Sequence, residues 1–461
     1  STPNKTSLNP VFKSIRMMRE RPFLHSEQLQ RGIAMALGER PAVNYEKLIR
    51  SDRVHGRLYY DPEIFREEID KIWHCGWVYV GHESEVPEPG DYVTLKLGFQ
   101  PIIIVRDQER KVNLFLNRCR HRGNTLCQQE HGRSNFLRCE YHGWTYGTKG
   151  ELVVVPYAEG YDGGFRKEDY GLTAVPRLGF YRGFIFASLS PTGISLDEHL
   201  GGAKEYIDMF LDLSPEGEVE LRAGVQKAKY RGNWKMMAEN SVEGTYHAHF
   251  LHKFHFDLIK ARAGVDVSDP KRAQVWGHIR CLPEGHMVED FRPGKRAPGV
   301  LAKIEKFPPG VWNAYVKAME QKYGEERAHK IIADNSQFIF IFPNMILLQT
   351  HVRRLQPVSV NETYLYYQPA LLKGVPPEIN TARLREHEYG FGPAGFLSAD
   401  DLEILERNQL GIEARVNEWL LLGRGIHRQE IDERGGCVGH GTDEGHLRGM
   451  WRHYKSVMFY S

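Results

Sequence analysis

The sequence predicts an α+β protein, with a small all-β module inserted into a larger α+β domain. Three observations carry that expectation. Residues 76–196 hold short apolar runs, "WVYVG", "YVTLKL", "PIIIVRD", "VNLFLN", "GELVVVP" and "GFIFASL", punctuated by Gly, Pro, Asn or Asp. This is the texture of many short antiparallel strands. Helical spacing follows in "SLDEHLGGAKEYIDMFLDL" and recurs in "ADDLEILERNQLGIEARVNEWLLL", where Leu402, Leu405, Ile412, Val416 and Trp419 repeat near a helical period. Strand-like runs return at "EVELRAGVQKAKYRGNWKMM", "QFIFIFPNMILLQTHVRRLQP" and "NETYLYYQPAL".

In chain order, residues 1–50 are polar and mildly basic, with a helical pattern around "SEQLQRGIAMALGE". Residues 76–196 form the predicted β module. Residues 1–75 and 197–461 form the larger domain around it. Within that domain residues 261–310, rich in Gly, Pro and charge, read as long loops. The chain has no internal repeat and no low-complexity segment.

Composition narrows the function classes. At 461 residues the chain exceeds the usual length of one domain. A net charge of +2 gives no bulk attraction to nucleic acid or an anionic membrane. No run of apolar residues is long enough to span a bilayer. The N-terminal stretch "STPNKTSLNPVFKSIRMMRERPF" has no apolar core of a secretory signal. The six cysteines are too few for a disulfide framework and suit a reducing compartment. A cytoplasmic protein is the expectation. The 21 histidines are the unusual count, and they lead to two clusters.

The first lies in "NRCRHRGNTLCQQEHGRSNFLRCEYHGWTYG", where Cys119 stands beside His121 and Cys139 beside His142. Zinc also takes two Cys and two His, but zinc ribbons and fingers tend to group like ligands. Here each loop supplies one of each. That suits a two-iron Rieske cluster, with two thiolates on one iron and two imidazoles on the other. Gly123, Gly143 and Gly147 are expected to let the backbone approach and aim N–H groups at sulfur. Cys127, between the pairs, reads as a small buried residue. The second cluster, "ENSVEGTYHAHFLHKFH", offers His247, His249, His252 and His255. A mononuclear ferrous site needs two His and a carboxylate. On periodicity alone, His249 with His252, or His252 with His255, would share a helix face.

"CRHRG…CEYHGWTY" resembles the Rieske motif of the large (α) subunit of aromatic-ring-hydroxylating dioxygenases. "YDPEIFREEIDKIWHCGWVYVGHESEVPEPGDYV" resembles that family's entry into the Rieske domain. "DLSPEGEVEL" and "NWKMMAENSVEGTYH" resemble the start of its catalytic domain. The resemblance covers most of the chain. It implies a catalytic domain of helix-grip type, an antiparallel sheet with helices. It implies a [2Fe-2S] Rieske cluster on Cys119, His121, Cys139 and His142, and a mononuclear Fe(II). The family's H-x4-H pattern fits His247 and His252, leaving His249 and His255 to other roles. Five residues turn an ideal helix by about 500°, so this pair requires a helix that distorts or ends between them. "GFLSADDLEILERNQ" resembles the segment supplying the carboxylate, which falls on Asp401. Ser398 followed three residues later by Asp401 also reads as a capping box. The sequence departs from the family where an Asp usually precedes the first ligand His by three residues and bridges to a cluster His across a subunit boundary. That position is Gly244, and the nearest acid is Glu243. Asn240 and Tyr246 match family positions near the iron.

The resemblance also implies an activity. Electrons from NADH, passed by a separate reductase with or without a ferredoxin, serve to add both atoms of O2 to an aromatic ring as a cis-dihydrodiol. It implies a trimer of α subunits, with a small β subunit completing an α3β3 assembly, and no nucleic acid or membrane partner. A Rieske monooxygenase that hydroxylates or dealkylates is the near alternative. A non-enzymatic Rieske electron carrier is the distant one, since a carrier needs only the β module. Candidate pocket residues lie in "FHFDLIK", in residues 261–310 and in "QFIFIFPNMILLQ".

Overall fold

Each apolar run read from residues 76–196 forms a strand in the computed structural model, which describes residues 43–263, 277–292, 307–334 and 337–460. The strands are β1 (Val78–His82), β2 (Asp91–Leu97), β3 (Gln100–Arg106), β4 (Val112–Leu116), β5 (His131–Arg133), β6 (Phe136–Arg138), β7 (Thr145–Gly147), β8 (Leu152–Val154), β9 (Arg177–Tyr181) and β10 (Phe184–Ser188). They pair antiparallel in three small sheets, ordered β4-β3-β2-β5, β6-β7-β8 and β9-β10-β1. Ile103, Val105, Phe115, Leu126, Leu137, Trp144 and Tyr146 form a core around Cys119 and Cys139. Tyr79, Phe184 and Phe186, from β1 and β10, pack instead into the core of the larger unit, with Leu200, Ile207, Met345 and Leu347. The Asn344 side chain also holds the backbone of Tyr79 at both its N–H and its carbonyl.

The larger unit is built on nine antiparallel strands: β11 (Gln226–Tyr230), β12 (His278–Cys281), β13 (Met287–Asp290), β14 (Gln337–Ile341), β15 (Met345–Leu348), β16 (His351–Ser359), β17 (Glu362–Pro369), β18 (Glu430–Ile431) and β19 (Cys437–His440). Their order is β11-β17-β16-β15-β14-β13-β12-β19-β18. Beyond the one-turn helices Tyr45–Leu48 and Arg57–Tyr60, the helices are α1 (Pro62–Glu68), α2 (Leu196–Leu200), α3 (Ala203–Leu211), α4 (Trp234–Asn240), α5 (Gly244–Leu251), α6 (Lys253–Ala263), α7 (Pro309–Tyr323), α8 (Glu325–Asp334), α9 (Pro377–Phe391), α10 (Ser398–Ile412) and α11 (Gly445–Tyr460). α11 packs across β12, β13 and β19. A buried ionic knot joins three helices: the Glu68 carboxylate of α1 accepts from Trp234 Nε1 and Lys235 Nζ of α4 and from the Tyr454 hydroxyl of α11. Removing Glu68 or Lys235 would leave the other's buried charge unpaired, a loss of about 3–5 kcal/mol. Among the described residues, no helix is long and apolar enough to cross a membrane.

Four local expectations change. "RGNWKMM" ends in helix α4, because the Asn233 side chain caps it by accepting from Lys235 N–H at 3.1 Å. The helix read over residues 399–422 stops at Ile412, and Trp419–Leu421 pairs as a strand with Arg53–His55. The buried stripe of α10 is Ser398, Asp401, Leu405 and Gln409, whereas Val416 is 97% exposed. Leu405 is the one fully buried leucine on that face, and its other members are polar. The Ser398 capping box is absent, since Leu397 occupies the cap position without a side-chain hydrogen bond. Within 261–310, residues 277–292 form a hairpin of β12 and β13 rather than loop. The helical pattern over "SEQLQRGIAMALGE" lies outside the described residues.

Candidate metal centres

The two Cys/His loops have the same internal geometry. In each, a Gly four residues after the Cys donates its N–H to the Cys carbonyl at 3.0 Å (Gly123 to Cys119, Gly143 to Cys139). In each, the Cys N–H is held at 2.8 Å by the carbonyl five residues on (Asn124, Trp144). Gly123 and Gly143 sit at φ +77° and +71°, a turn that side chains resist. The glycine N–H groups therefore close the loops instead of pointing at sulfur as expected from the sequence. Cys119 Sγ lies 3.4 Å from the Tyr146 hydroxyl, and Cys139 Sγ lies 3.8 Å from Asn124 Nδ2.

Both thiols are buried, while the imidazoles meet near the surface. The rings of His121 and His142 are 4.5 Å apart, His121 stacks on Trp144 at 5.0 Å, and His142 is exposed. His121 Nδ1 is buried and has no hydrogen-bond partner among the described residues. A buried nitrogen left open in this way fits a metal ligand. A single tetrahedral zinc would bring all its ligand atoms within roughly 4 Å of one another. Among the described residues, only His247, His252 and Asp401 gather as three or more ligands, within 4.8 Å. Thiols in one place and imidazoles in another suit a two-iron cluster.

The second site depends on a helix break. α5 ends at Leu251, His252 occupies its C-cap at φ −95°, ψ 26°, and α6 starts at Lys253. The break supplies the rotation that a continuous helix denies to residues five apart, and the rings of His247 and His252 stand 5.2 Å apart. Asp401 Oδ1 lies 3.2 Å from His252 Nε2 and 3.7 Å from His247 Nε2. His249 and His255 lie elsewhere: His249 stacks on Phe256 at 5.3 Å, and His255 packs near Tyr389. Two imidazoles and a carboxylate on one side suit a ferrous ion. Burial works against ionisation of Asp401, yet the His252 hydrogen bond and the field of His247 hold its carboxyl below the usual range.

Carboxylates surround this triad. Glu243 Oε1 is 3.5 Å from His247 Nδ1, and Asp400 Oδ2 is 3.3 Å from His252 Nδ1. His252 thus has an acid hydrogen-bonded to the nitrogen away from Asp401, the arrangement that fixes tautomer and aim in metal-binding histidines, while Glu243 faces His247 Nδ1 at 3.5 Å without a hydrogen bond. Asn240 Nδ2 donates to Asp401 Oδ1 at 3.3 Å. The Tyr246 hydroxyl is taken by Arg424 at 2.6 Å, away from the triad. At Gly244, the first residue of α5, an acid from the sheet fills the space: Glu289 of β13 accepts from Gly244 N–H at 3.0 Å and Thr245 N–H at 2.6 Å, and a Cβ at 244 would lie 3.2 Å from its Oε2. A cavity of about 800 Å³ reaches His247 past Glu239, Glu243 and Tyr246. Burial pushes Glu239 up to about 7, while the Tyr59 hydroxyl and Trp451 Nε1 both donate to its Oε1.

Sequence reasoning missed Asp400, Glu289 and Glu239. Asp400 has no mark separating it from its neighbour Asp401. Glu289 shares its short strand, Met287–Asp290, with a second acid, Asp290, and has no such mark either.

The chain matches the family model of the Rieske [2Fe-2S] domain over residues 76–170 and that of the ring hydroxylating alpha subunit (catalytic domain) over residues 210–459. It is 31% identical over 398 residues to the 2-halobenzoate 1,2-dioxygenase large subunit of Burkholderia cepacia, covering 83% of this chain and 82% of that one. It is 30% identical over 384 residues to the anthranilate 1,2-dioxygenase large subunit of Acinetobacter baylyi, covering 82% and 81%. Its fold superposes on naphthalene 1,2-dioxygenase from Rhodococcus sp. bound to indole with a TM-score of 0.76, at 26% identity, over 88% of this chain and 94% of that one.

Proposed function

The chain belongs to the ring-hydroxylating dioxygenase alpha-subunit family, the terminal oxygenases with a Rieske cluster and a mononuclear iron, and from that premise we propose that it adds both atoms of O2 to an aromatic ring, using electrons that come from NADH through a separate reductase. The observation that carries the reading is the gathering of His247, His252 and Asp401 in the same chain as the paired Cys/His loops. The named relatives act on benzoates and on naphthalene, and an aromatic ring is what these share.

Cys119, His121, Cys139 and His142 hold the cluster, and His247, His252 and Asp401 hold the iron. When bound, the cluster supplies single electrons and the iron supplies oxygen activation. The chain's own residues set the rest. Asp400 orients the His252 imidazole, Glu243 faces that of His247, and Asn240 steadies the Asp401 carboxylate. Residues 76–196 act as the electron-carrying domain, and residues 1–75 with 197–461 as the catalytic one. Exposed Arg118, Arg120 and Arg122 flank the first Cys/His loop, while Glu243 and Glu444 line the cavity beside His247. Opposite charges of this kind support docking of one subunit's loops on its neighbour's cavity, hence a trimer of this chain, joined by a small β subunit and placed in the cytoplasm. Glu243, at the cavity and on His247, is then the bridge between the sites, and Tyr246 borders it.

Turnover under labelled O2 with a generic reductase tests the reading. Two labelled oxygens in a cis-dihydrodiol are expected. One labelled oxygen would make the protein a monooxygenase, and an iron content matching the cluster alone would make it a carrier.

A further inference from the structure

Two arginines are buried where α9 meets the sheet, and they are satisfied very differently. Arg383, of α9, donates Nε and Nη2 to the carbonyls of Ala370 and Gln349 at 2.8–3.2 Å. It is a structural tie. Arg353, of β16, is 2% exposed. Its Nε donates to His351 Nε2 at 2.9 Å, and Nη1 reaches only the Met237 thioether, at 3.9 Å. Among the described residues no carboxylate pairs with it, and Nη2 has no acceptor. A guanidinium carries five donors and keeps its charge. Burying it without an anion is costly.

The surroundings point to what completes it. The guanidinium lies over the rings of Phe391, at 4.6 Å, and Tyr367, at 5.0 Å. Those rings and Met237 offer an apolar, polarizable wall beside the open donors. The nearby imidazoles bring no negative charge, and burial with the Arg353 field keeps His387 at about 4 and holds His351 well below the usual imidazole range. Asp401 lies within reach of the Arg353 field, but it is committed to His247, His252 and Asn240. Met237 and Asn240 are three residues apart on α4, about 4.5 Å of helix rise. Consecutive turns of one helix therefore serve the open arginine and the candidate iron ligand.

We propose that Arg353 anchors the carboxylate of an aromatic acid, so that the substrates of this site are aromatic carboxylates. The anion takes the free Nη donors, and the ring packs along Met237 and Phe391 toward the triad. The idea rests on the oxygenase reading above and sharpens it from any aromatic ring to a ring bearing an acid. His351 is the positioning residue, since it holds Nε and turns the Nη edge outward.

The test is equilibrium binding to the purified protein with cluster and iron in place. The probes are benzoate, cinnamate and 2-naphthoate, each against its uncharged amide. At least one acid is expected to bind more tightly than its amide. Arg353→Gln should weaken that acid by roughly 100-fold, the usual scale for truncating one partner of a buried charge pair, and leave the amide unchanged. Arg353→Lys should recover part of the loss. Amides binding as well as acids, no acid binding, or full acid affinity in Arg353→Gln would each overturn the anchor. Visible absorption and melting temperature check that the variant folds. If it does not, the comparison of acid with amide in the unmodified protein decides alone. Oxygenated neutral rings with acids ignored would refute the anchor and leave the oxygenase. Arg353-dependent acid binding without any oxygenation would do the reverse.

Discussion

Around Cys119 and Cys139, candidate ligands from one short stretch sit on two turns of the same form, and one of them, His142, is open to solvent. Around His247, the ligands come from a helix break and from a helix about 150 residues further on, and His252 and Asp401 are each only 4% exposed. The first site is made by local backbone geometry: a positive-φ glycine and two backbone hydrogen bonds per loop. The second is made by assembly, and acids stand behind both of its histidines. The lesson is about transmissible damage. A locally built site near the surface can exchange electrons with a partner and should fail alone. An assembled, buried site depends on residues that never touch the metal.

The largest effect should come from the local site. Cys119→Ser or His142→Ala removes one of four cluster ligands. The visible cluster absorption and all NADH-coupled turnover should vanish, while the mononuclear iron stays, as metal analysis would record. A normal visible spectrum in folded Cys119→Ser would refute the assignment.

Next comes the reciprocal loss. His247→Ala, His252→Ala and Asp401→Ala should each lose the mononuclear iron and turnover but keep the cluster spectrum. His249→Ala should retain most activity. The opposite pattern between His247 and His249 would mean that the i,i+3 pair holds the metal.

Smaller losses should follow from the surrounding acids, about 10–100-fold in iron affinity or activity. Asp400→Asn should act on the iron site alone. Glu243→Gln should keep both metals yet slow cluster oxidation in single-turnover experiments with substrate and O2. Equal single-turnover rates in Glu243→Gln and the unmodified protein would remove Glu243 from the electron path.

The smallest effect concerns Glu239. Its carboxyl sits at about 7 instead of 4.5, so the folded state favours the protonated form. The stability this confers is present below pH 4.5 and is lost as pH rises through 7. Glu239→Gln keeps an oxygen for Tyr59 and Trp451 but cannot ionise. Its melting temperature should match the unmodified protein at pH 4 and exceed it at pH 8, by on the order of 1 kcal/mol in stability, because the cavity hydrates part of the charge. Parallel pH curves would show that Glu239 titrates normally.

Sequence by itself determined the β module, the α+β class and the paired Cys/His loops, because each depends on residues close along the chain. A two-residue alternation or a Cys four residues before a Gly carries its geometry with it. The His247/His252 pair was legible only with the condition that the helix end between them, and the structure supplies that end at Leu251. What tertiary structure alone decided is of another kind. The buried face of α10 carries Asp401 and Gln409 with only one of its leucines, Leu405. Glu289 of β13 fills the place left by Gly244, and buried Arg353 keeps open donors while the donors of Arg383 are taken by backbone carbonyls. None of these has a spacing to read. Whether a buried charge is paired depends on which distant segment brings an acceptor to it, and that is known only once the chain has packed.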